Sequence, residues 1–332
     1  MKKFDIAVVG CTGKVGRQML TVLEERKLPY GKIVMFASKK SAGSEITFDG
    51  KKYTVIELSE ENIKANKTDI ALMSAGGGTS KVFAPIFAAN GTVVIDNSSQ
   101  WRMDPDVPLV VPEANAEDAL KNHGIIANPN CSTIQAIVAI KPLHDKYTLK
   151  RVVYSTYQAV SGAGMAGSAD LENGAKGIAP SKFNQPIFHN VIPQIDVFLD
   201  SGYTKEEQKM IDETRKILHA PDLAVTATTV RVPVPNCHSE SINLEFEKPF
   251  DLDEVKRVLA SAPGLVVMDD PSRCVYPMPC NCDNKDEVFV GRIRRDFSVA
   301  NGLNIWVVAD NIRKGAATNA VQIAQYLIAH AE

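Results

Sequence analysis

The stretch "FDIAVVGCTGKVGRQML" constrains the chain most. A short apolar run, Phe4 to Val9, ends in glycines at 10, 13 and 16. Lys14 to Lys27 then places Val15, Met19, Val22 and Leu23 on one helical face. Strand, glycine turn and helix in this order bring a backbone close to a pyrophosphate, whose charge the helix N-terminus attracts. A tight turn that binds nothing would look similar. The strand-turn-helix context favours the cradle, with Gly10, Thr12, Gly13, Lys14, Val15 and Gly16 as its residues.

"KIVMFAS" reads as the second strand and ends in "ASKKSAG". An NAD pocket normally carries an acid there for the ribose 2′-hydroxyl. Here Ser38, Lys39, Lys40 and Ser41 stand instead, and hydroxyls with ammonium groups suit a 2′-phosphate, so NADP(H) is the expected cofactor. A solvated basic turn is the alternative. "SAGGGTS" is a second glycine loop after a strand, adding Ser74, Ala75, Gly76 and Gly77 to the expected crevice. "TDIALMSA", "GTVVIDN", "PLVVPE" and "GIIANP" read as further strands, with helices around 79–90 and 115–122. This alternation predicts a Rossmann-type, doubly wound α/β domain.

Beyond about residue 148 the strands lengthen: "KRVVYSTYQAV", "LAVTATTVRVPV", "SESINLEFE", "EVFVGRIRRDFSV" and "LNIWVVAD". Helices are expected near 166–176, 205–219 and 251–261. Long strands with few helices predict an α+β domain with a mostly antiparallel sheet, whose outer face suits a dimer. The closing "RKGAATNAVQIAQYLIAH" is amphipathic and is expected to pack back on the first domain. A length of 332 residues suits two such domains.

A net charge of -2 and a pI near 6.3 give no basic surplus for nucleic acid or a membrane surface. No apolar run reaches membrane-spanning length and no signal peptide is evident, so a cytoplasmic protein is expected. The cysteines at 11, 131, 237, 274, 280 and 282 then read as reduced thiols. Cys274, Cys280 and Cys282 lack a zinc spacing and a local fourth ligand, so no metal is expected.

One thiol has a special address. "IIANPNCSTIQAIVAI" puts Cys131 between a Pro-Asn turn and a helical run. A helix N-terminus favours the thiolate, and Asn130 with nearby N–H groups could donate to an oxyanion. A small buried thiol is the commoner fate of a cysteine. A nucleophile needs a companion base. His123, His144, His219 and His330 fall on helical stretches and are expected to face solvent, and His189 lies in a loop. His238 stands at a strand edge, seven residues after Arg231. On the residues alone, His238 is as compatible with an ordinary strand edge as with a catalytic cleft.

These pieces together resemble the aspartate-β-semialdehyde dehydrogenase family nearly end to end. The matching stretches include "VVGCTGKVG", "VIDNSSQWRMDPDVPLVVPEAN", "IIANPNCSTIQ", "YQAVSGAG", "NVIPQID", "EEQKMIDETRKIL", "RVPV…HSES" and "ADNIRKGAATNAVQIA". The resemblance implies an NADP-binding domain of residues 1–130 and 311–332, completed by the C-terminal helix, and a catalytic and dimerisation domain of 131–310. It implies Cys131 as nucleophile, His238 as acid/base, Gln158 as the residue orienting thiol or substrate, and Asn130 as oxyanion donor. Arg231 would clamp the substrate carboxylate. Glu206 and Lys209, sharing a helix face, would lie near amine and phosphate, with Arg102 as a phosphate contact. Ser161 and Gly162 would line the substrate, and Asn311 would lie beside the nicotinamide. The implied reaction is reversible NADPH-dependent reduction of L-4-aspartyl phosphate to L-aspartate 4-semialdehyde and phosphate through a cysteine thioester. The implied setting is synthesis of lysine (through diaminopimelate), threonine, methionine and isoleucine, by a homodimer or dimer of dimers. Two rivals stay open: a reductase of the N-acetyl-glutamyl-phosphate kind, and an NADP-binding sensor without chemistry.

Overall fold

A computed structural model describes residues 3–331, which form two compact units. One runs to Asn130 and resumes at Ala316; the other spans Cys131–Gly315. In the first, strands β1 (Phe4–Val9), β2 (Tyr30–Ala37), β3 (Glu45–Phe48), β4 (Lys51–Thr54), β5 (Ile56–Glu57), β6 (Ile70–Met73), β7 (Val93–Asp96) and β8 (Ile125–Ala127) alternate with helices α1 (Lys14–Glu25), α2 (Glu60–Ala65), α3 (Gly77–Ala89) and α4 (Pro112–Asn115). Six strands make one parallel sheet in the order β5-β2-β1-β6-β7-β8. Because the inner strands carry apolar residues on both sides, both faces must be covered. Ile6 and Val8 pack against Met19 and Leu23 of α1 and Val321 of the C-terminal helix Thr318–Ala329, while Ala7 and Val9 pack on the side of Phe87 from α3. Strand order reverses between β1 and β6, the switch point where such sheets bind ligands.

Local chemistry explains where the expected elements fail. "PLVVPE" is no strand: Pro108 and Pro112 flank it, and only one bridge forms, Leu109 to Ala127. The 115–122 segment is a 3₁₀ turn, Ala116–Lys121, that follows the short α4. The β3–β4 hairpin has a local cause. Its Asp49-Gly50 turn has both φ angles positive, at 48° and 70°, which suits the tight turns that an Asp-Gly pair favours between alternating strands.

The second unit contains α5 (Cys131–Tyr147), β9 (Leu149–Gln158), α6 (Gly164–Gly174), α7 (Lys205–Ile217), β10 (Ala224–Arg231), β11 (His238–Phe246), α8 (Leu252–Ser261), β12 (Leu265–Val267), α9 (Pro279–Cys282), β13 (Val288–Asp296) and β14 (Gly302–Ala309). Its sheet runs β10-β9-β11-β14-β13-β12. The three inner pairings are antiparallel, but β10–β9 and β12–β13 are parallel, so the sheet is mixed. Residues 311–315, expected with the nucleotide-binding part, group with this unit. Asn311 is tied there because its Oδ1 accepts from Cys237 N–H at 3.0 Å. Among the described residues, no helix is long and apolar enough to cross a membrane.

On β11, Glu240 sits fully buried with neither carboxylate oxygen partnered. Burial raises its carboxyl well above the usual range. A carboxyl raised in the fold gives stability that is fully present below its unfolded value, near 4.5, and is lost as pH rises toward the folded one. Each pH unit across that window costs about 1.4 kcal/mol. Glu240→Gln removes this titration. The melting temperature of the variant minus that of the wild type should therefore grow between pH 4.5 and pH 8. A pH-independent difference in thermal scans contradicts the assignment.

Candidate active site

Sheet register gathers the second unit's polar groups at one sheet end. Parallel pairing sets Arg231, the last residue of β10, opposite Gln158, the last of β9. Antiparallel β11 starts at that same end, with His238 first and Ser239 opposite Tyr157. Helix α5 starts at Cys131, directly after Asn130, which is 6% exposed. Sulfur Sγ of Cys131 lies 3.2 Å from His238 Nε2.

The imidazole is fully buried. Its Nδ1 accepts from Ala159 N–H at 3.0 Å, and its carbonyl accepts from Gln135 Nε2 at 3.3 Å. Burial, aided by the Arg231 charge and opposed by Glu206, pushes His238 down to about 3. Arg231 donates from Nη1 to Ala159 O at 2.7 Å, and its guanidinium lies over the Phe183 ring. Burial also lowers Arg231, with Glu206 and Cys131 acting against the shift. Gly162 borders this cluster. A Cβ there would lie 3.0 Å from Arg231 Nη1 and 3.2 Å from His238 Nε2, so a side chain would crowd both.

A chain of polar contacts leads outward. Thr156 Oγ1 donates to Gln158 Oε1, and Gln158 Nε2 donates to Glu206 Oε1 at 3.1 Å. Lys209 Nζ donates to Glu206 Oε2 at 3.1 Å and to Asp196 Oδ2 at 2.9 Å. Burial works against the Lys209 ammonium, but the two carboxylates outweigh it and its pKa is raised. Helix α7 is anchored by a capping box in which Glu207 Oε2 accepts from Thr204 N–H, while Glu207 Oε1 accepts from Thr229 N–H of β10. That anchor fixes Glu206 toward Gln158.

The structure thus brings Cys131, His238, Arg231, Gln158, Gly162, Glu206 and Lys209 into one connected group. Ser161 and Asn311 bond each other, Asn311 Nδ2 to Ser161 Oγ at 3.0 Å, and are buried. Arg102 belongs to the first unit, where its guanidinium donates to Asn128 O at 3.0 Å and Asn97 O at 2.9 Å. Of the other histidines, His144 is half-buried rather than solvent-facing, because its Nδ1 accepts from Leu149 N–H.

Sequence reasoning missed three contributors. Asp196 lies in the quoted "NVIPQID" but was not singled out as the second carboxylate on Lys209. Gly315 sits in a π-helical turn, and a Cβ on it would come within 2.9 Å of Cys131 Cβ, so a glycine lets that turn lie against the start of α5. Asp170 accepts from the N–H groups of Ser181, Lys182 and Phe183 and so holds the ring beneath Arg231. None carries a sequence signal of its own beyond residue type.

Cys237 is buried, and burial pushes its thiol far above the ordinary range. Cys237, Asp283 and Asp310 bring ligand atoms within 4.8 Å. The Asp310 carboxylate is engaged there by the N–H groups of Asn284, Ile312 and Arg313, as a loop anchor. Cys274 and Cys280 are exposed and Cys282 is buried.

In the first unit, Gly10 has φ +82°, and a Cβ on it would come within 2.3 Å of Ser74 O, so the two glycine loops meet at the switch point. Helix α1 starts without a side-chain cap and without an acid in its first turn, leaving its N–H end suited to an anion. Ser38, Lys39 and Lys40 are exposed in a turn closed by Ser41 N–H to Ser38 O. These groups fit a nucleotide pyrophosphate and a 2′-phosphate.

A Rossmann-type sheet and a mixed-sheet unit with a thiol–imidazole pair define the class, an oxidoreductase acting on an aldehyde or acyl phosphate. Residues 5–123 match the family described as semialdehyde dehydrogenase, NAD binding domain, and residues 140–314 match semialdehyde dehydrogenase, dimerisation domain. The chain is 57% identical over 334 residues to the aspartate-semialdehyde dehydrogenase of Aquifex aeolicus, covering 98% of each. It resembles the structure of aspartate semialdehyde dehydrogenase II complexed with ASA from Vibrio cholerae with a TM-score of 0.96 and 45% identity, covering 100% of both chains. The structure of the Candida albicans enzyme with NADP matches with a TM-score of 0.79 and 25% identity over 99% of each chain. The chain belongs to the aspartate-semialdehyde dehydrogenase family.

Proposed function

We propose that this chain interconverts L-4-aspartyl phosphate and L-aspartate 4-semialdehyde reversibly, with NADP(H) and phosphate, through a thioester on Cys131. The observation that carries the reading is the 3.2 Å pairing of Cys131 Sγ with His238 Nε2 at the start of α5, in the cluster that holds Arg231. The thiolate attacks the acyl phosphate carbonyl, phosphate leaves, and the thioester is reduced to a thiohemiacetal that expels aldehyde. When bound, NADPH supplies the hydride. Asn130 and the first N–H groups of α5 serve the oxyanion.

The rest of the cluster suits an amino-acid substrate. Arg231 takes the α-carboxylate bidentately, and Glu206, held by Gln158 and Lys209, takes the ammonium. Lys209 and Arg102 serve the phosphate, Ser161 and Gly162 border the substrate, and Asn311, through Ser161, steadies that border. The product then enters the route to lysine, threonine, methionine and isoleucine, in the cytoplasm. Pairing of two copies through the second unit's sheet fits its half-exposed aromatic face, where Tyr157 is 40% exposed beside Trp306.

The direct test is spectrophotometric. Aspartate semialdehyde, NADP and phosphate together should generate NADPH, and omission of phosphate should stop it. Activity with N-acetyl-glutamate semialdehyde instead would favour the rival reductase. NADPH binding without any turnover would favour the sensor. For the cofactor, Gly13, Gly16, Ser38–Ser41 and Ser74–Gly77 form the cradle. Lys40→Glu should weaken NADPH binding about tenfold or more while changing NADH binding little, as a lysine opposite a phosphate requires. Equal effects on both, measured by fluorescence titration, would remove the 2′-phosphate assignment.

A further inference from the structure

We propose that Cys237, Asp283 and Asp310 form a binding site for one divalent cation of the zinc type, outside the chemistry of the active site. Their donor atoms, a thiol sulfur and two carboxylate oxygens, lie within 4.8 Å of one another. The three loop cysteines show no zinc spacing in the sequence. This set has none either, because it comes from three segments: Cys237 directly before β11, Asp283 directly after α9 and Asp310 directly after β14.

Two observations separate the cluster from an ordinary pair of surface acids. Cys237 is fully buried and aimed into it, and its sulfur has no hydrogen-bond partner among the described residues. Oδ1 of Asp283 is likewise buried and accepts no hydrogen bond. Two carboxylates this close repel, and Asp283 is raised above the usual carboxylate range by burial first and by Asp310 second. Leaving such groups buried and unpaired costs stability, and a doubly charged cation offsets that cost.

The donors are also held in place. Asp310 Oδ1 accepts from the N–H groups of Ile312 and Arg313, while Oδ2 accepts from Asn284 N–H at 2.9 Å and keeps a second lone pair. Such outer contacts orient a metal ligand. Cys237 N–H is bound to Asn311 Oδ1, and its sulfur packs in an apolar cluster with Cys282, Phe289 and Val308. Asp283 is half-buried and marks the solvent side, where a water completes four ligands.

The donor set selects the cation. A thiolate suits zinc-type ions, whereas calcium and magnesium take oxygen shells. Donors bound at about 2.0–2.3 Å sit roughly 3.5 Å apart around a tetrahedral ion, which small side-chain rotations reach. On binding, the S–H proton passes to water, the sulfur–metal bond forms and no electron is transferred. Burial disfavours the free thiolate, and the cation's charge restores it. The ion ties the residue before His238 to the residue before Asn311, at the end where β11 pairs with β14, and touches no substrate group.

The test uses the whole enzyme carrying Cys131→Ala, so that the nucleophile cannot take metal, with cadmium ion as the probe. Expected is one equivalent per chain, with a cadmium–thiolate charge-transfer band in the ultraviolet. The band should persist when Cys274→Ser and Cys280→Ser are added and vanish with Cys237→Ser. It should need about tenfold or more cadmium in Asp283→Asn. Cadmium should also raise the melting temperature by about 2 °C or more in the Cys131→Ala protein, and not once Cys237→Ser is added. No band at one equivalent, a band that survives Cys237→Ser, or an unchanged titration in Asp283→Asn overturns the proposal. If Cys237→Ser fails to fold, Asp283→Asn, which keeps the shape of a half-buried side chain, decides alone. The readout is binding and not turnover, so it is independent of the thioester reading.

Discussion

Cys131→Ala should abolish phosphate-dependent reduction of NADP by aspartate semialdehyde, by about 10⁴-fold or more, because removing a covalent nucleophile leaves only binding and positioning. Nothing else in the site replaces the sulfur. Cys237 is buried, and burial disfavours its thiolate. Cys131→Ser should leave a trace at most, since a helix N-terminus and a neighbouring imidazole favour a thiolate far more than an alkoxide. The control is thermal unfolding. The mutated side chain is small and sits at the first position of a long helix, so Tm should move little. A Cys131→Ala enzyme with normal turnover would sink the thioester mechanism.

Arg231→Leu should raise the Michaelis constant for aspartate semialdehyde and lower kcat/KM by about 10²–10³-fold, the effect of truncating one partner of a buried charge pair, roughly 3–4 kcal/mol. Arg231 is 6% exposed and its guanidinium is braced by Ala159 O and the Phe183 ring, so its fork is already aimed before substrate arrives. Arg231→Lys keeps the charge but not the fork and should fall between. Steady-state kinetics in both directions check this. An unchanged Michaelis constant in Arg231→Leu would refute the clamp.

Part of the site was legible and part was not, for a definite reason. The thiol at a helix start, the glycine turn and the Ser-Lys-Lys-Ser turn are local features, and local sequence rules describe them. The long strands were also legible, from β-branched and aromatic content. Their neighbours were not. The sheet is antiparallel at its three inner pairings, as expected, but the parallel pairing of β10 with β9 was not legible. An antiparallel pairing would carry Arg231 to the other end of β9, away from Gln158. Alternation along a strand says which face is buried but not which strand lies beside it. The same limit hid Asp196, which reaches Lys209 from a loop 13 residues earlier.

By itself, the sequence determined the parts: a nucleotide-type strand-turn-helix, a thiol at a helix mouth, and an arginine and a histidine at strand ends. Those follow from period, turn chemistry and helix dipoles, all of which act over a few residues. Only the tertiary structure decided that the sulfur meets an imidazole 107 residues away, and that a backbone N–H, from a residue with no functional side chain, faces the other ring nitrogen. The physical reason is that a ring's protonation depends on what touches each nitrogen. Those contacts come from sheet register and burial, which no local pattern encodes.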